Sequence, residues 1–241
     1  MRILRASLMA LSMFSITPCP SLWHDDALPW VIPFFPFVGA ILGGLWFGLA
    51  CLAASWPMAL SAFVLAALPW VFSGLMHLDG MMDVSDALLS RRDRAEMLRI
   101  LKDPHTGAFA VISVALLLLG QYSAAWSLTG QGRALWPLLL VPVWSRAMSA
   151  GLIQFGTPMP SSGYAKMLHA GAGKPQRAMV LATALLGRQW QVLLSMTCAF
   201  GLAAWWAIRK LGGVNGDIAG FSLTLSELAG LMALAVRQVS A

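Results

Sequence analysis

Long apolar runs, separated by short polar stretches, make up most of the chain. The runs are continuous instead of alternating, which predicts membrane-embedded helices and argues against a barrel of strands. No Asp, Glu, Lys or Arg occurs between Asp26 and Asp79, although one bilayer crossing needs only ~20 apolar residues. The apolar runs cover roughly residues 4–17, 31–54, 57–76, 107–128, 134–155, 178–208 and 218–236. The predicted fold class is all-α: a polytopic transmembrane helix bundle with about six to seven spans.

Two of these runs are irregular. Run 4–17 is short for a crossing and is predicted to lie in the membrane interface. Run 178–208 contains Arg188, and as one span it would place Arg209 and Lys210 outside, against the positive-inside rule. A hairpin turning near Arg188 and Gln189 would place both residues inside, although its first limb would be too short to cross. The hairpin is the favoured interpretation.

Composition supports a membrane protein. The chain is 59% hydrophobic and 11% charged, whereas a soluble domain is about 45–50% apolar and ~25% charged. Its 241 residues suit one integral membrane domain, 1–241, with the lipid bilayer as a partner. The net charge of +6 arises from Lys and Arg beside apolar runs, which is a topology signal. Nucleic acid is therefore not an expected partner.

Basic residues also predict the orientation. The segment 77–106 contains five of them and should face the cytoplasm; they are Arg91, Arg92, Arg94, Arg99 and Lys102. This segment is predicted to be a cytoplasmic catalytic loop of a multi-pass protein in the cell inner membrane. The turn near Ser55 would then lie outside.

Acidic residues are concentrated in the same segment. Of the ten in the chain, six fall between Asp79 and Asp103. Asp79, Asp83 and Asp86 stand at i, i+4 and i+7, so on a helix their directions differ by only about 60°. Three carboxylates on one face repel each other unless a cation lies between them. Oxygen ligands select a hard cation, Mg²⁺ or Mn²⁺, over zinc, and Mg²⁺ fills its shell with water and substrate phosphate. We therefore predict that these three residues are metal ligands and catalytic.

The same segment is compatible with two other structures. A solvated amphipathic helix, with its aspartates balancing the arginines, would need no metal. Membrane carboxylates are costly, however, and apolar residues such as Met81 and Val84 lie on the opposite face. Zinc is not favoured, because His77 and His105 have no cysteine ligand or HExxH motif beside them.

Further candidates lie outside the three-aspartate face. Asp103 precedes a tight Pro–Gly turn and is a catalytic candidate if that turn brings it to the aspartates. Arg146 is a lone charge within an apolar run. Its side chain is expected either to contact a phosphate of the substrate or to extend to the membrane interface. Glu227 lies inside the last apolar run, and this position favours a role in ion pairing or in function. The predicted substrate-binding residues are His77, Lys102, Arg146, Lys166 and Asp217.

Several motifs together resemble one known family. They are FFPFVGAILGG, HLDGMMDVSDAL, EMLRILKDPHTGAFAV, the Ser145–Arg146 pair and GGVNGDIAGFSLTLSEL. The sequence resembles the adenosylcobinamide-GDP ribazoletransferase (cobalamin synthase) family over nearly its whole length. It departs from the family at Ala87, Ala110 and Ser73, where glycine is usual.

The resemblance implies the final nucleotide-loop step of cobalamin biosynthesis. The hydroxyl of α-ribazole, or of its 5′-phosphate, would attack the phosphorus of adenosylcobinamide-GDP that carries cobinamide, and GMP would leave. The chemistry expected from the residues agrees, since metal neutralisation suits such a displacement. One of the three aspartates, or Asp103, would take the proton. A homo-oligomer and contacts with other cobamide-assembly enzymes are left open.

Two other classes were compared with this one. A CDP-alcohol phosphotransferase also places aspartates around a divalent cation, but its DG–AR–G–D–D order is absent. A transporter or channel would distribute acidic residues across the membrane depth, whereas here they are crowded on one side.

Overall fold

The described part of the chain consists of α-helices joined by short turns and loops. The structure is a computed structural model and describes residues 2–19, 24–129, 135–160 and 189–239. Within these ranges the only β-structure is an isolated bridge between Pro158 and Val214. The helices are α1 Arg2–Phe14, α2 Leu28–Val31, α3 Phe35–Leu52, α4 Met58–Phe72, α5 Met76–Leu89, α6 Arg94–Ile100, α7 Ala108–Leu128, α8 Val141–Phe155, α9 Trp190–Leu211 and α10 Gly216–Val239. The predicted all-α class is confirmed.

Five described segments are long and apolar enough to cross a membrane. They are Leu28–Ser55, Ala108–Leu128, Trp136–Phe155, Trp190–Leu211 and Gly216–Arg237. The pair α4 and α5 would make a sixth, but it is bent by 87°. Helix α1 has 13 residues, too few for a crossing. The described residues therefore give five or six spans. The predicted runs 31–54, 107–128, 134–155 and 218–236 coincide with helical segments to within a few residues. Residues 178–188 of the run 178–208 lie outside the described residues.

The predicted run 57–76 is divided in the structure. Helix α4 ends at Phe72, and both Gly74 and Leu75 then adopt left-handed backbone, with φ of 61° and 64°. Two successive left-handed residues reverse the local direction of the chain. Helix α5 therefore leaves the axis of α4 at 87° and packs on α10 and α7. The prediction of one continuous helix to residue 76 was wrong at its C-terminal end. Leu75, which is not a glycine, adopts a left-handed backbone conformation that the sequence does not signal.

Helix α9 bears on the predicted hairpin. It begins at Trp190, directly after Gln189, where the hairpin was expected to turn; the first limb lies outside the described residues. At the other end, Arg94 Nε donates to the Leu211 carbonyl at 3.2 Å. Arg209 and Lys210 therefore lie at the same end of the bundle as the arginine-rich segment, which is the side that the hairpin interpretation requires.

Helix α10 occupies the centre of the bundle. It packs against α5, α7, α8 and α9, and side chains such as Leu223 and Leu231 are fully buried. Gly230 allows close packing, since a Cβ there would lie 2.8 Å from Met196 Sδ on α9. Because four helices surround it, the position of its first turn is well fixed.

Several helix ends meet where α10 begins. The backbone N–H of Met159 donates to the Val214 carbonyl at 2.9 Å, and the Val214 N–H donates to the Thr157 carbonyl at 2.8 Å. These bonds join the segment after α8 to the loop between α9 and α10. The start of α10, the end of α9 and helix α5 thus share one end of the molecule.

Candidate active site

Four carboxylates are grouped at this end of the bundle. Asp79, Asp83 and Asp86 lie on α5, and Asp217 lies in the first turn of α10. The charges of Asp79, Asp217 and Asp86 all act on Asp83, and Asp79 also acts on Asp217. Asp79 is exposed and the other three are partly buried. We call these four residues the carboxylate cluster; it is a strongly anionic group that is partly exposed.

A glycine allows α5 to approach α10 so closely. A Cβ at Gly80 would lie 3.0 Å from both the Cα and the carbonyl oxygen of Asp217, closer than side chains normally pack. One turn away, a Cβ at Gly220 would lie 3.6 Å from the His77 Cα. Helix α5 therefore packs on the backbone of α10, and this contact brings Asp217 to the three aspartates.

Asn215 orients Asp217. Its side-chain Nδ2 donates to Asp217 Oδ2 at 2.6 Å, and its Oδ1 accepts the Ile218 N–H at 2.9 Å, as an N-cap. A carboxylate in the first turn of a helix is also favoured by the helix dipole. Asp217 was predicted to bind substrate, and the structure brings it to the carboxylate cluster. Asn215 was missed, although an Asn before a helix is a recognisable cap signal.

Asp86 connects α5 to α7. The Ala110 N–H donates to Asp86 Oδ1 at 3.4 Å, and a Cβ at Gly107 would collide with both carboxylate oxygens. Asp86 is therefore held at the N-terminus of α7, where negative charge is stabilised. By contrast, the side-chain carboxylates of Asp79 and Asp83 have no hydrogen bond or ion pair within the described residues. These two carboxylates are the ones left free to bind a ligand.

The donor set can be compared with the expected magnesium ion. In the part of the chain that the structure describes, no three His, Cys, Asp or Glu side chains are arranged to hold one metal ion. Within the described residues the three predicted aspartates are thus not closed around one ion, and the magnesium site stays a prediction. Mg²⁺ commonly needs only one or two carboxylates, with water and phosphate completing its octahedron. The unpaired oxygen donors of Asp79 and Asp83 fit that mode of binding.

Asp103 binds within its own loop. The backbone N–H of His105 donates to Asp103 Oδ1 at 3.0 Å, the His105 imidazole contacts the same oxygen at 2.7 Å, and Arg99 lies 3.4 Å from Oδ2. The His105 backbone bond, followed by its imidazole, holds the pKa of Asp103 below its usual range. Asp103 is not among the charges acting on Asp83. Its hydrogen bonds and ion pairs thus lie within its own loop, and its part in catalysis stays a prediction. Lys102 is exposed on the same loop.

Arg146 lies inside the bundle and forms an ion pair with Glu227. Their side chains are 1% and 0% exposed. The Ser145 hydroxyl also donates to Glu227 Oε1 at 2.8 Å, and Arg146 donates to the Pro142 carbonyl at 3.3 Å. Arg146 therefore neither snorkels to the interface nor reaches the open carboxylate cluster. The sequence suggested that Glu227 has a partner but not which residue it is.

The remaining two predicted binding residues differ in their placement. His77 is buried in the first turn of α5, and its Nε2 has no hydrogen-bond partner among the residues that the structure describes. Its ring centroid lies 6.0 Å from that of Phe35. His77 therefore faces the interior and not the carboxylate cluster. Lys166 lies outside the described residues.

Comparison with known proteins identifies the family. The family model described as cobalamin-5-phosphate synthase matches residues 6–235. A relative from Clostridium perfringens (strain 13 / Type A) is 37% identical over 246 aligned residues, covering 95% of this chain and 96% of the relative. One from Pseudomonas syringae pv. syringae (strain B728a) is 41% identical over 230 residues, covering 90% and 92%. Both are named adenosylcobinamide-GDP ribazoletransferase. No solved structure matches the chain.

The family model and these relatives cover almost the whole chain. The chain therefore belongs to the cobalamin-5-phosphate synthase family and is an enzyme of the adenosylcobinamide-GDP ribazoletransferase type. The resemblance found in the sequence motifs is confirmed.

Proposed function

We propose, from the premise of this family membership, that the protein joins adenosylcobinamide-GDP to α-ribazole, or to its 5′-phosphate, and releases GMP. The observation that carries this proposal is the carboxylate cluster, in which Asp79 and Asp83 have no partner among the described residues. Unpaired neighbouring carboxylates favour a bound cation. A divalent cation is in turn suited to a diphosphate substrate.

The transfer is a displacement at phosphorus. The ribose hydroxyl oxygen of the acceptor bonds to the phosphorus that carries cobinamide, the bond from that phosphorus to the bridging oxygen breaks, and GMP leaves with that oxygen. The hydroxyl proton passes to a carboxylate. Asp79 and Asp83 are the proposed proton acceptors and metal ligands, because Asp86 and Asp217 are engaged by Ala110 and Asn215. Mg²⁺, when bound, would neutralise charge on the phosphate oxygens.

The other residues of this end have supporting roles. Asp86 holds α5 against α7, and Gly80 lets α5 pack on the backbone of Asp217 in α10, so that Asp79 and Asp83 keep their positions. The exposed cations Arg91, Arg92 and Lys102 are proposed to attract the anionic substrate. The corrinoid is large, and an open surface at the end of the bundle can accept it. Its cobalt enters as part of the substrate.

The location follows from the same arrangement. Two groups of basic residues lie at the same end of the helix bundle. One is in the segment with Arg91, Arg92 and Lys102, and the other is Arg209 and Lys210 at the end of α9. Because positive loops remain in the cytoplasm, we place the carboxylate cluster on the cytoplasmic face of the cell inner membrane.

A reconstituted transfer reaction tests this function. Purified protein in nanodiscs would receive adenosylcobinamide-GDP, Mg²⁺ and either α-ribazole or its 5′-phosphate, with GMP followed by chromatography and the corrinoid product by mass spectrometry. We expect GMP and the joined product in equal amounts, only with an acceptor present, and no turnover in excess EDTA. GMP release without an acceptor, or full turnover in EDTA, would refute the proposal.

A further inference from the structure

The buried ion pair between Arg146 and Glu227 has no part in the transfer chemistry described above. Desolvation offsets most of the attraction in such a pair, so a buried pair is a weak source of stability. It does fix register, because sliding α8 along α10 would separate two charges in a medium of low dielectric constant. The pair therefore determines how α8 and α10 lie against each other.

Phe35 connects this pair to α5. The Arg146 Cζ lies 5.8 Å from the Phe35 ring centroid, and the His77 ring lies 6.0 Å from the same ring. One turn further along α3, a Cβ at Gly39 would collide with the Pro142 carbonyl and with Arg146 Cδ. Helix α3 is thus packed directly on α8 at Arg146, and it carries Phe35 to His77.

His77 in turn lies on the face of α5 that contacts α10. His77 packs on Gly220, and Gly80, three residues later, packs on the backbone of Asp217. The same two helices carry the carboxylate cluster on their exposed side. A shift of His77 would therefore move Asp79 and Asp83 relative to Asp217.

Direct phosphate binding by Arg146 is the main alternative. The Arg146 side chain is 1% exposed, and its Nη1 already binds Glu227, Ser145 and the Pro142 carbonyl. The Arg146 Nε has no partner among the described residues, but it is buried, so a phosphate would have to enter the interior of the bundle beside the Glu227 carboxylate to reach it. The contacts favour an indirect role.

We propose that Arg146 and Glu227 are positioning residues. Their pair acts through Phe35 and His77 and sets where α5 lies against the start of α10, and so how Asp79 and Asp83 face Asp217. This inference rests on the proposed function, because it assigns the pair a role in transfer at the carboxylate cluster. Neither residue touches the substrate.

The test replaces both charges together. The double variant Arg146→Met with Glu227→Leu removes the pair without leaving one charge unpaired, which is the change that buried pairs tolerate best. Purified variants would be compared in thermal unfolding, in kcat and KM for adenosylcobinamide-GDP, and in binding of Mn²⁺ alone, followed by electron paramagnetic resonance.

Phe35→Leu, which leaves the ion pair intact, tests separately the connection between the pair and His77. Trp46→Phe is the control, since it removes a buried bond from the indole to the Leu65 carbonyl away from α5.

A positioning role predicts a folded double variant with kcat lowered by about tenfold or more, KM changed by less than about threefold, and weaker Mn²⁺ binding. Phe35→Leu should show the same pattern, and Trp46→Phe should show none of it. The proposal would be overturned if the folded double variant kept wild-type kcat and Mn²⁺ affinity. If the double variant does not fold, the same result in Phe35→Leu would overturn it. A raised KM with normal kcat would overturn it in favour of phosphate contact. If the wild type itself turns over no substrate, the proposed function fails, and Mn²⁺ binding alone decides the positioning role.

Discussion

Asp86 serves the fold and the candidate site together. Its carboxylate accepts the Ala110 N–H at the start of α7 while its charge acts on Asp83. A carboxylate at a helix N-terminus is stabilised by the helix dipole, which offsets part of the cost of placing a fourth negative charge in the carboxylate cluster. Among the described residues, the structure thereby separates two carboxylates without a partner, Asp79 and Asp83, from two that are held.

Gly107→Ala tests the placement of Asp86. The added Cβ would collide with the Asp86 carboxylate, whose flexible end can rotate away, so we expect a folded enzyme with turnover lowered on the order of 10²-fold. Gly48→Ala is the matched control, because its Cβ would meet nothing within 4 Å. The measurement is kcat with thermal unfolding for both variants. Equal activity in the two variants would contradict a role for Asp86.

The Asp103 loop has a measurable dependence on pH. The pKa of Asp103 in the folded protein lies below its ordinary value of 3.8. The bonds of the ionised carboxylate therefore stabilise the loop fully at pH values above 3.8, and this stabilisation is lost as the pH falls through the lowered pKa of the folded protein. In His105→Ala the imidazole is absent but the backbone N–H, the larger cause, remains. We therefore expect carboxyl ¹³C NMR titration to show the Asp103 pKa raised only part of the way to its ordinary value. An unchanged pKa would contradict the imidazole contact.

At the scale of the elements, Arg94 joins α6 to the end of α9. Its Nε donates to the Leu211 carbonyl, one of the carbonyls that a helix end leaves unpaired. Gly212 makes this possible, because its φ is +86° and a Cβ there would collide with the Arg94 guanidinium. The contact holds the arginine-rich segment at the end of the bundle that contains the carboxylate cluster.

Gly212→Ala should weaken this contact. The left-handed backbone alone costs a non-glycine residue about 1–2 kcal/mol, and the collision displaces Arg94. We expect a lower unfolding temperature and faster tryptic cleavage after Arg91 and Arg92 in the variant. Gly201→Ala, on the same helix with open space around it, should be neutral or stabilising. Similar behaviour of both variants would argue against the contact.

The helices themselves could be predicted because apolar content and length decide them locally. The runs 107–128 and 218–236 coincide closely with α7 and α10. The turn at Leu75 could not be predicted, since its left-handed backbone follows from how α5 packs. The position of Asp217 beside α5, and the pairing of Arg146 with Glu227, depend on contacts between residues far apart in sequence. One aspartate face was thus predictable, and the complete cluster was not.

For the whole molecule, the arrangement predicts a polarised protein, with the carboxylate cluster at one end and the turn after α3 at the other. In a variant without native cysteines, Ser55→Cys should react with a membrane-impermeant maleimide in intact spheroplasts. Lys102→Cys should react only after the membrane is permeabilised. Labelling of Lys102→Cys in intact spheroplasts would contradict the cytoplasmic placement.

The central claim is that transfer takes place at the unpaired carboxylates of α5. The most direct measurement compares GMP release by Asp83→Asn and Asp93→Asn at saturating Mg²⁺. Asp93 is an exposed cap of α6 whose side chain accepts the Glu96 N–H, and Asn caps a helix equally well. We predict that Asp83→Asn loses about 10²–10³-fold in kcat while Asp93→Asn keeps wild-type activity, with both folded. Wild-type turnover by folded Asp83→Asn would contradict the account.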